Sequence, residues 1–350
     1  MLVSFIIPAY NAADTIARCL ESIRNLTLEK EDYEIIVIDD ASTDNTVSVI
    51  GKWKLDNGDC RLEILRQPKN NRQGAARNRG VKEAKGDYIC FVDADDAVTE
   101  GVVKAIRSAE DNNTDITAYH YAFVNEQGVI TKEADKLCFN NGMMFTGIEL
   151  QNHHPYWCSG PVAYVYNRAF LEQVNYPFVE GVLFEDSDFV AVHLYHAKRM
   201  TYTSELGYKA FYREGSTTRQ TTSKSVADYL LLGVRMMRLY ERIKVESGKR
   251  KEEGVEQFAE GILEGACYNV SKSCKWLIKL SDLKEVGAFY ERVDMNVNRK
   301  ELCKCKPLRK YYWNPWTLVC LKQQRLATVL LSVLMPMYRM GRKWKVERGK

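Results

Sequence analysis

The chain has 350 residues, 45% of them apolar and 27% charged. This is the make-up of a globular protein that can bury a sizeable core, in one large domain with an appendage or in two domains. The formal net charge of +4 is too small to specify a partner, and no nucleic-acid partner is expected. Ten cysteines are scattered without a repeated spacing, which argues against a disulfide framework and fits a reducing cytoplasm. Cys303-Lys-Cys305 is the one close pair, and no partner pair at zinc-site spacing follows it.

Residues 2–7 are a β-rich apolar run broken by Pro8-Ala-Tyr-Asn11. That run is too short for a secretory h-region, and no apolar run reaches the roughly 20 residues that span a bilayer. Asp14 is placed to cap a helix whose apolar positions Ile16, Cys19, Leu20 and Ile23 recur at helical spacing. Residues 34–39 predict a second strand, followed by Asp40, and Asp44 then opens a helix through Val47, Val49 and Ile50. Residues 62–65 predict a third, weaker strand. A third helix is expected over 74–85, closed by Gly86. Residues 88–92 predict a fourth strand that runs into Asp93-Ala-Asp-Asp96.

This alternation implies a parallel α/β sheet with right-handed crossovers, in which ligands gather at the carboxyl ends of the strands. Asp93 and Asp95 are two apart, so in continuing strand geometry they share a face. Two such carboxylates repel unless a cation lies between them, and oxygen ligands suit Mg²⁺ or Mn²⁺, which in turn bind phosphate. The competing reading makes these acids caps for a helix near Thr99-Glu-Gly101. No glycine-rich phosphate loop follows the first strand, so neutralising a phosphate falls to a metal.

Val3-Ser-Phe-Ile-Ile-Pro-Ala-Tyr-Asn11, Val37-Ile-Asp-Asp-Ala-Ser-Thr-Asp-Asn-Thr46, Gly74-Ala-Ala-Arg-Asn78, Phe91-Val-Asp-Ala-Asp-Asp96 and Glu180-Gly-Val-Leu-Phe-Glu-Asp-Ser-Asp-Phe189 occur in that order. With these five elements the chain resembles a family 2 glycosyltransferase of the inverting type and the GT-A fold, over about residues 1–220. The resemblance implies a nucleotide-sugar donor, a UDP-sugar above all, and an acceptor hydroxyl on a saccharide or lipid-linked saccharide. Pro8, Tyr10 and Asp40 would border the nucleoside. Asp93 would hold ribose or metal-bound water, and Asp95, with Asp93, the Mn²⁺ or Mg²⁺. Asp186 would be the general base, a role open to an ordinary carboxylate, with Glu185 orienting the acceptor. Arg72 and Arg77 lie near a helix N-terminus, where anions are favoured. Either would touch phosphate or ribose, and Arg77 would equally brace Asp40 or Asp95. Trp157 is a candidate acceptor platform, and Arg213 a candidate diphosphate contact in a segment resembling the family's closing loop. His193 and His196 are three apart on the helix after Asp186, with packing or surface placement preferred to metal binding.

Two rivals stand beside this reading. Asp93-Ala-Asp95 also fits the nucleophile motif of haloacid-dehalogenase phosphatases, but that family carries it on the first strand. A non-catalytic nucleotide-sugar-binding relative that serves a partner is the other, and the full set of acids argues against it.

Residues 221–300 predict a helical extension with stripes at Val226, Tyr229, Leu230, Val234, Met237 and Tyr240 and at Phe258, Ile262 and Ala266. Residues 301–350 hold twelve Lys/Arg against two acids, with an aromatic cluster at Tyr311-Tyr-Trp-Asn-Pro-Trp316 and an apolar run over 326–335. That tail is expected either to lie in a membrane interface or to dock as a helix, in a protein at the cytoplasmic side of the membrane.

Overall fold

Strand and helix alternate from the N-terminus as the apolar periodicity requires. The order is β1 (Val3–Ala9), α1 (Ile16–Arg24), β2 (Tyr33–Asp39), α2 (Thr46–Asp56), β3 (Leu62–Arg66), α3 (Arg72–Glu83) and β4 (Tyr88–Phe91). The computed structural model describes residues 2–58, 60–155, 160–212, 221–248, 253–280 and 282–294, together with Cys320, Ala327 and Leu331. The chain divides into two compact units, Met1–Arg213 and Glu214–Lys350.

In the first unit β3, β2, β1 and β4 pair in parallel. Every residue of β1 and β2 is buried, as in a sheet covered on both faces. The sheet continues through β8 (Tyr164–Asn167), β6 (Ile116–Val124), β9 (Met200–Phe211) and β5 (Ala97–Val98), with β7 (Ile130–Glu133) beside β6. The pairings β4–β8, β8–β6 and β9–β5 are antiparallel, so the sheet is parallel on one side of β4 and mixed on the other. Helices α4 (Glu100–Asn112), α5 (Gly147–His153), α6 (Arg168–Val174) and α7 (Asp186–His196) complete this unit among the described residues.

Three local expectations change. Pro8 does not end β1 but lies inside it, opposite Ile38. The ladder to β4 stops at Ile6, two residues earlier, so the missing N–H deprives no β4 bond. Asp14 does not cap α1, whose cap position is Thr15. Gly86 does not cap α3, which ends at Glu83. Gly86 instead donates its N–H to Ser4 Oγ, and a Cβ there would sit 2.6 Å from the Ser4 nitrogen.

The second unit is helical in its described residues: α8 (Ser223–Ser247), α9 (Val255–Trp276) and α10 (Leu283–Asp294). Gly233 lets α8 and α9 approach, since a Cβ there would lie 2.6 Å from Val270 Cγ2. Arg292 on α10 pairs with the fully buried Asp228 on α8 at 2.6 Å. Of the basic tail only Cys320, Ala327 and Leu331 are described. All three are helical and buried, and the Cys320 carbonyl accepts from Tyr290 Oη at 3.1 Å. No helix among the described residues is long and apolar enough to cross a membrane.

Candidate active site

The parallel strands β1, β2 and β4 end on the same edge of the sheet, and their loops interlock. Asn11 turns out of β1 with a left-handed backbone, φ 49°, and Ala41 turns out of β2 with φ 61°. Asn11 Oδ1 accepts from the Thr43 N–H, Ser42 Oγ accepts from the Asn11 N–H, and Thr46 Oγ1 accepts from the Ala12 N–H. Asp44 receives the N–H groups of Ala13 and Thr46, so it ties the two loops instead of merely opening α2. These polar groups hold each loop through the other. Sequence reasoning gave no role to Asn11, Ser42 or Thr46, although turn-forming residues clustered after two strand ends were a signal.

That lattice fixes Tyr10 and Asp40. Tyr10 is 47% exposed at the end of β1. Asp40 is buried and accepts from Gln67 Nε2 at 3.1 Å and the Asn71 N–H at 2.9 Å. Burial raises its pKa above the usual carboxylate range, against the pull of the Asn71 and Arg72 amides. Arg72 opens α3 half-buried with φ 71°. Asp39 is fully buried and faces Arg66 Nε at 3.2 Å.

The acids after β4 do not continue the strand. Asp93-Ala-Asp-Asp96 is a turn closed by the Asp96 N–H on the Asp93 carbonyl at 3.0 Å, so Asp93 and Asp95 lie in a turn and not on a continuing strand face. Asp96 caps no helix: it accepts from Tyr208 Oη at 2.6 Å and the Phe211 N–H at 2.7 Å, which pins the turn to β9. Arg18 adds a second pin. It donates to the Asp95 carbonyl at 2.6 Å and stacks over the Phe211 ring at 3.6 Å.

No group of three or more His, Cys, Asp or Glu side chains able to hold a metal occurs among the described residues. Both oxygens of Asp96 are engaged by β9 and one of Asp93 by Arg77, and the residues that would hold a metal here are Asp93 and Asp95. That set fits Mg²⁺ or Mn²⁺ of the kind held by one or two carboxylates and completed by phosphate and water.

Helix α3 carries the other side of the site. Asn78 makes paired bonds of 2.9 Å with the Phe178 backbone, and the Asn71 carbonyl accepts from the Gly181 N–H at 3.0 Å. Gly74 lies between them; a Cβ there would sit 2.6 Å from the Val179 carbonyl oxygen and 3.0 Å from Glu185 Cγ. Positions 71, 74 and 78 share one face of the helix, which seats the segment leading into α7. Phe178 stacks on Phe189 at 3.7 Å between ring centroids and meets Phe91 edge-on, which packs that segment against β4.

Arg77, on the same helix, is 2% exposed. Its Nη1 donates to Glu185 Oε1 at 2.6 Å and its Nη2 to Asp93 Oδ1 at 2.8 Å. The brace that was expected toward Asp40 or Asp95 is therefore made to Asp93 and Glu185. Burial alone would depress the Arg77 pKa, but Asp93, Glu185 and Asp186 together raise it, so the guanidinium stays charged. Removing one partner of such a buried pair costs about 3–5 kcal/mol.

Asp186 is half-buried at the first position of α7, with Glu185 buried at the cap position. Its pKa is pushed up to about 7 by burial and then by the neighbouring Glu185 charge, against the opposing pull of Arg77. The ordinary carboxylate expected there is thus a group that titrates near neutrality, within reach of general-base work. His193 packs among Tyr166, Phe170 and Phe189, with its pKa lowered to about 4 by burial, and His196 is exposed. Trp157 and Arg213 lie outside the described residues.

Residues 4–174 match the family model of Glycosyl transferase family 2. A poly(ribitol-phosphate) beta-glucosyltransferase of Bacillus spizizenii is 39% identical over 130 residues, 37% of this chain and 20% of that protein. The chain thus spans about a fifth of the length of that curated relative. Among solved structures, Staphylococcus aureus TarS 1-349 in complex with UDP-GlcNAc superposes with a TM-score of 0.60 at 22% identity, covering 97% of this chain and 92% of that one. The mannosyltransferase PcManGT of Pyrobaculum calidifontis, in complex with GDP-Man and Mn²⁺, reaches 0.50 at 15% identity, covering 94% and 86%. Residues 4–174 are thus similar in sequence to Glycosyl transferase family 2, and the likeness to TarS shows a shared GT-A fold.

Proposed function

We propose that the protein is an inverting glycosyltransferase that moves a sugar from a nucleotide-diphosphate sugar, a UDP-sugar by preference, onto a hydroxyl of a saccharide or lipid-linked saccharide in cell-surface glycan assembly. One observation carries this reading: a single guanidinium, Arg77, touches both the Asp93 turn and the residue preceding Asp186. The acids assigned to donor and acceptor therefore line one site.

Tyr10 offers a ring to the base and Asp40 a carboxylate to an imide N–H, with Pro8 shaping the strand end between them. Arg72 and Arg213 are the cations proposed for the phosphates, and Trp157 the platform for the acceptor sugar. Asp186 takes the proton of the acceptor hydroxyl while that oxygen attacks the anomeric carbon. The bond to the diphosphate oxygen breaks on the opposite face, and one displacement inverts the centre. A Mn²⁺ or Mg²⁺ held by Asp95 and Asp93 would neutralise charge on the leaving diphosphate. The Bacillus relative acts, by its name, on poly(ribitol-phosphate), and the TarS structure holds UDP-GlcNAc. The first supports a polymer acceptor and the second a UDP-sugar donor for this chain.

The proposed place of action is the cytoplasmic side of the membrane. For the tail, the burial of Cys320, Ala327 and Leu331 supports the docked alternative at those three positions. Sugar-nucleotide hydrolysis with Mn²⁺ across a donor panel tests the function. A chain that binds UDP but releases none from any donor would be the non-catalytic relative instead.

A further inference from the structure

Three stretches far apart in sequence meet at one buried side chain. Arg77 lies 16 residues before Asp93 and 108 before Glu185, yet it donates to both. We propose that Arg77 is a positioning residue that holds the donor-side turn 93–96 and the acceptor-side start of α7 in fixed register. This rests on the glycosyl-transfer reading given above.

Arg77 is not needed merely to fasten the segment before α7. Asn78 already clamps Phe178, Asn71 holds Gly181, and Gly74 allows the close approach to Val179. What Arg77 adds is a link between that segment and the turn after β4. A buried ion pair contributes little stability compared with apolar packing, so its presence here calls for another use. Two divergent N–H groups on a rigid plane hold two carboxylates at a fixed spacing, whereas a lysine's compact ammonium on a flexible stem fixes that spacing less well. The Phe178 ring, 5.4 Å from the guanidinium carbon, lies against it. Asp93 is assigned to the donor, and Glu185 directly precedes the base. A shift of the bridge therefore moves the acceptor's base relative to the sugar it must serve, and small misplacements of reacting groups cost large factors in rate.

The test uses the full chain and the variants R77K and E185Q, each checked for folding by its thermal melt. E185Q is isosteric and leaves the Arg77–Asp93 pair intact, so it stays informative if R77K does not fold. UDP binding is measured by calorimetry with Mn²⁺, and UDP release is followed from UDP-GlcNAc and UDP-glucose across pH. R77K is expected to weaken UDP binding about tenfold and turnover about a hundredfold. E185Q is expected to keep UDP affinity within about twofold while turnover falls roughly 10–100-fold. The acid limb of the E185Q profile should move to lower pH. Asp186 faces Glu185, Asp93 and Arg77, and only the Glu185 charge has been removed.

Wild-type turnover in a folded R77K or E185Q overturns the proposal. So does an E185Q that loses UDP binding as fully as R77K, since the residue would then be ordinary scaffolding. If the wild type binds UDP but releases none from these two sugars or from any other donor of the panel, the function reading fails. The positioning role is then still judged on the UDP-binding contrast between the two variants.

Discussion

The two sides of the site are held by different forces. The loops after β1 and β2, which carry Tyr10 and Asp40, are fixed by neutral hydrogen bonds among Asn11, Ser42, Thr43 and Thr46 and by Asp44 on backbone amides. The start of α7, which carries Asp186, is fixed by a buried charge, a helix-face clamp and an aromatic stack. Many short bonds share the load on the first side, so losing one is tolerated. A few long-range partners carry the second, where a single change propagates. The first side should therefore respond to mutation through donor affinity, and the second through rate.

D186N is the largest break. Turnover should fall about 10²–10⁴-fold by loss of the proposed general base, with UDP affinity by calorimetry changed less than threefold. Equal loss of both would erase the contrast between the sides. D95N should weaken UDP binding in Mn²⁺ by about 10–100-fold but leave it nearly unchanged in chelator, which sharpens the assignment of the turn to the donor. G74A should lower stability by about 1–3 kcal/mol in a denaturant melt, because its Cβ meets the Val179 carbonyl, and should reduce turnover more than UDP binding. The smallest effect is expected at Tyr10. Y10A removes an exposed ring and should cost about 0.5–1.5 kcal/mol of UDP affinity with kcat preserved.

The pH profile separates the sides as well. With Asp186 pushed up to about 7, turnover should rise through neutrality as the carboxylate ionises, while UDP binding stays flat there. Folding linkage has the opposite sign. A carboxylate whose pKa is raised by folding holds its proton longer in the native state, so its contribution to stability declines as pH rises from about 4 to about 7.

The first side was largely legible in the sequence. Strand period, the acids at strand ends and the alternation of helix and strand fix where Asp40 and Asp93 lie, because those signals are local. Two things escaped. The Asp93–Asp96 turn was misread as continuing strand, since its geometry depends on Tyr208 Oη and the Phe211 N–H, more than a hundred residues away, donating to Asp96. The partners of Arg77 were also hidden, because no local pattern names a carboxylate at position 185. Asn71, Gly74 and Asn78 did leave a trace. Two polar residues and a glycine on one helix face mark a surface that something must approach closely. In the helical unit the stripes at 226–240 and 258–266 read directly as α8 and α9, since helix packing is written in a short period.

Asn11, Ala41, Arg72 and Phe184 all adopt left-handed backbone without being glycine; Arg72 is itself assigned to the site, and the other three each flank a residue that is. An engineer seeking a hardier enzyme would choose Ala41→Gly first, because glycine relaxes that conformation. The same exchange would free the hinge beside Asp40 to sample other shapes. Heat tolerance and substrate discrimination are therefore expected to trade against each other at these few peptide units, and a screen that selects only for survival at high temperature would drift toward sloppier catalysts.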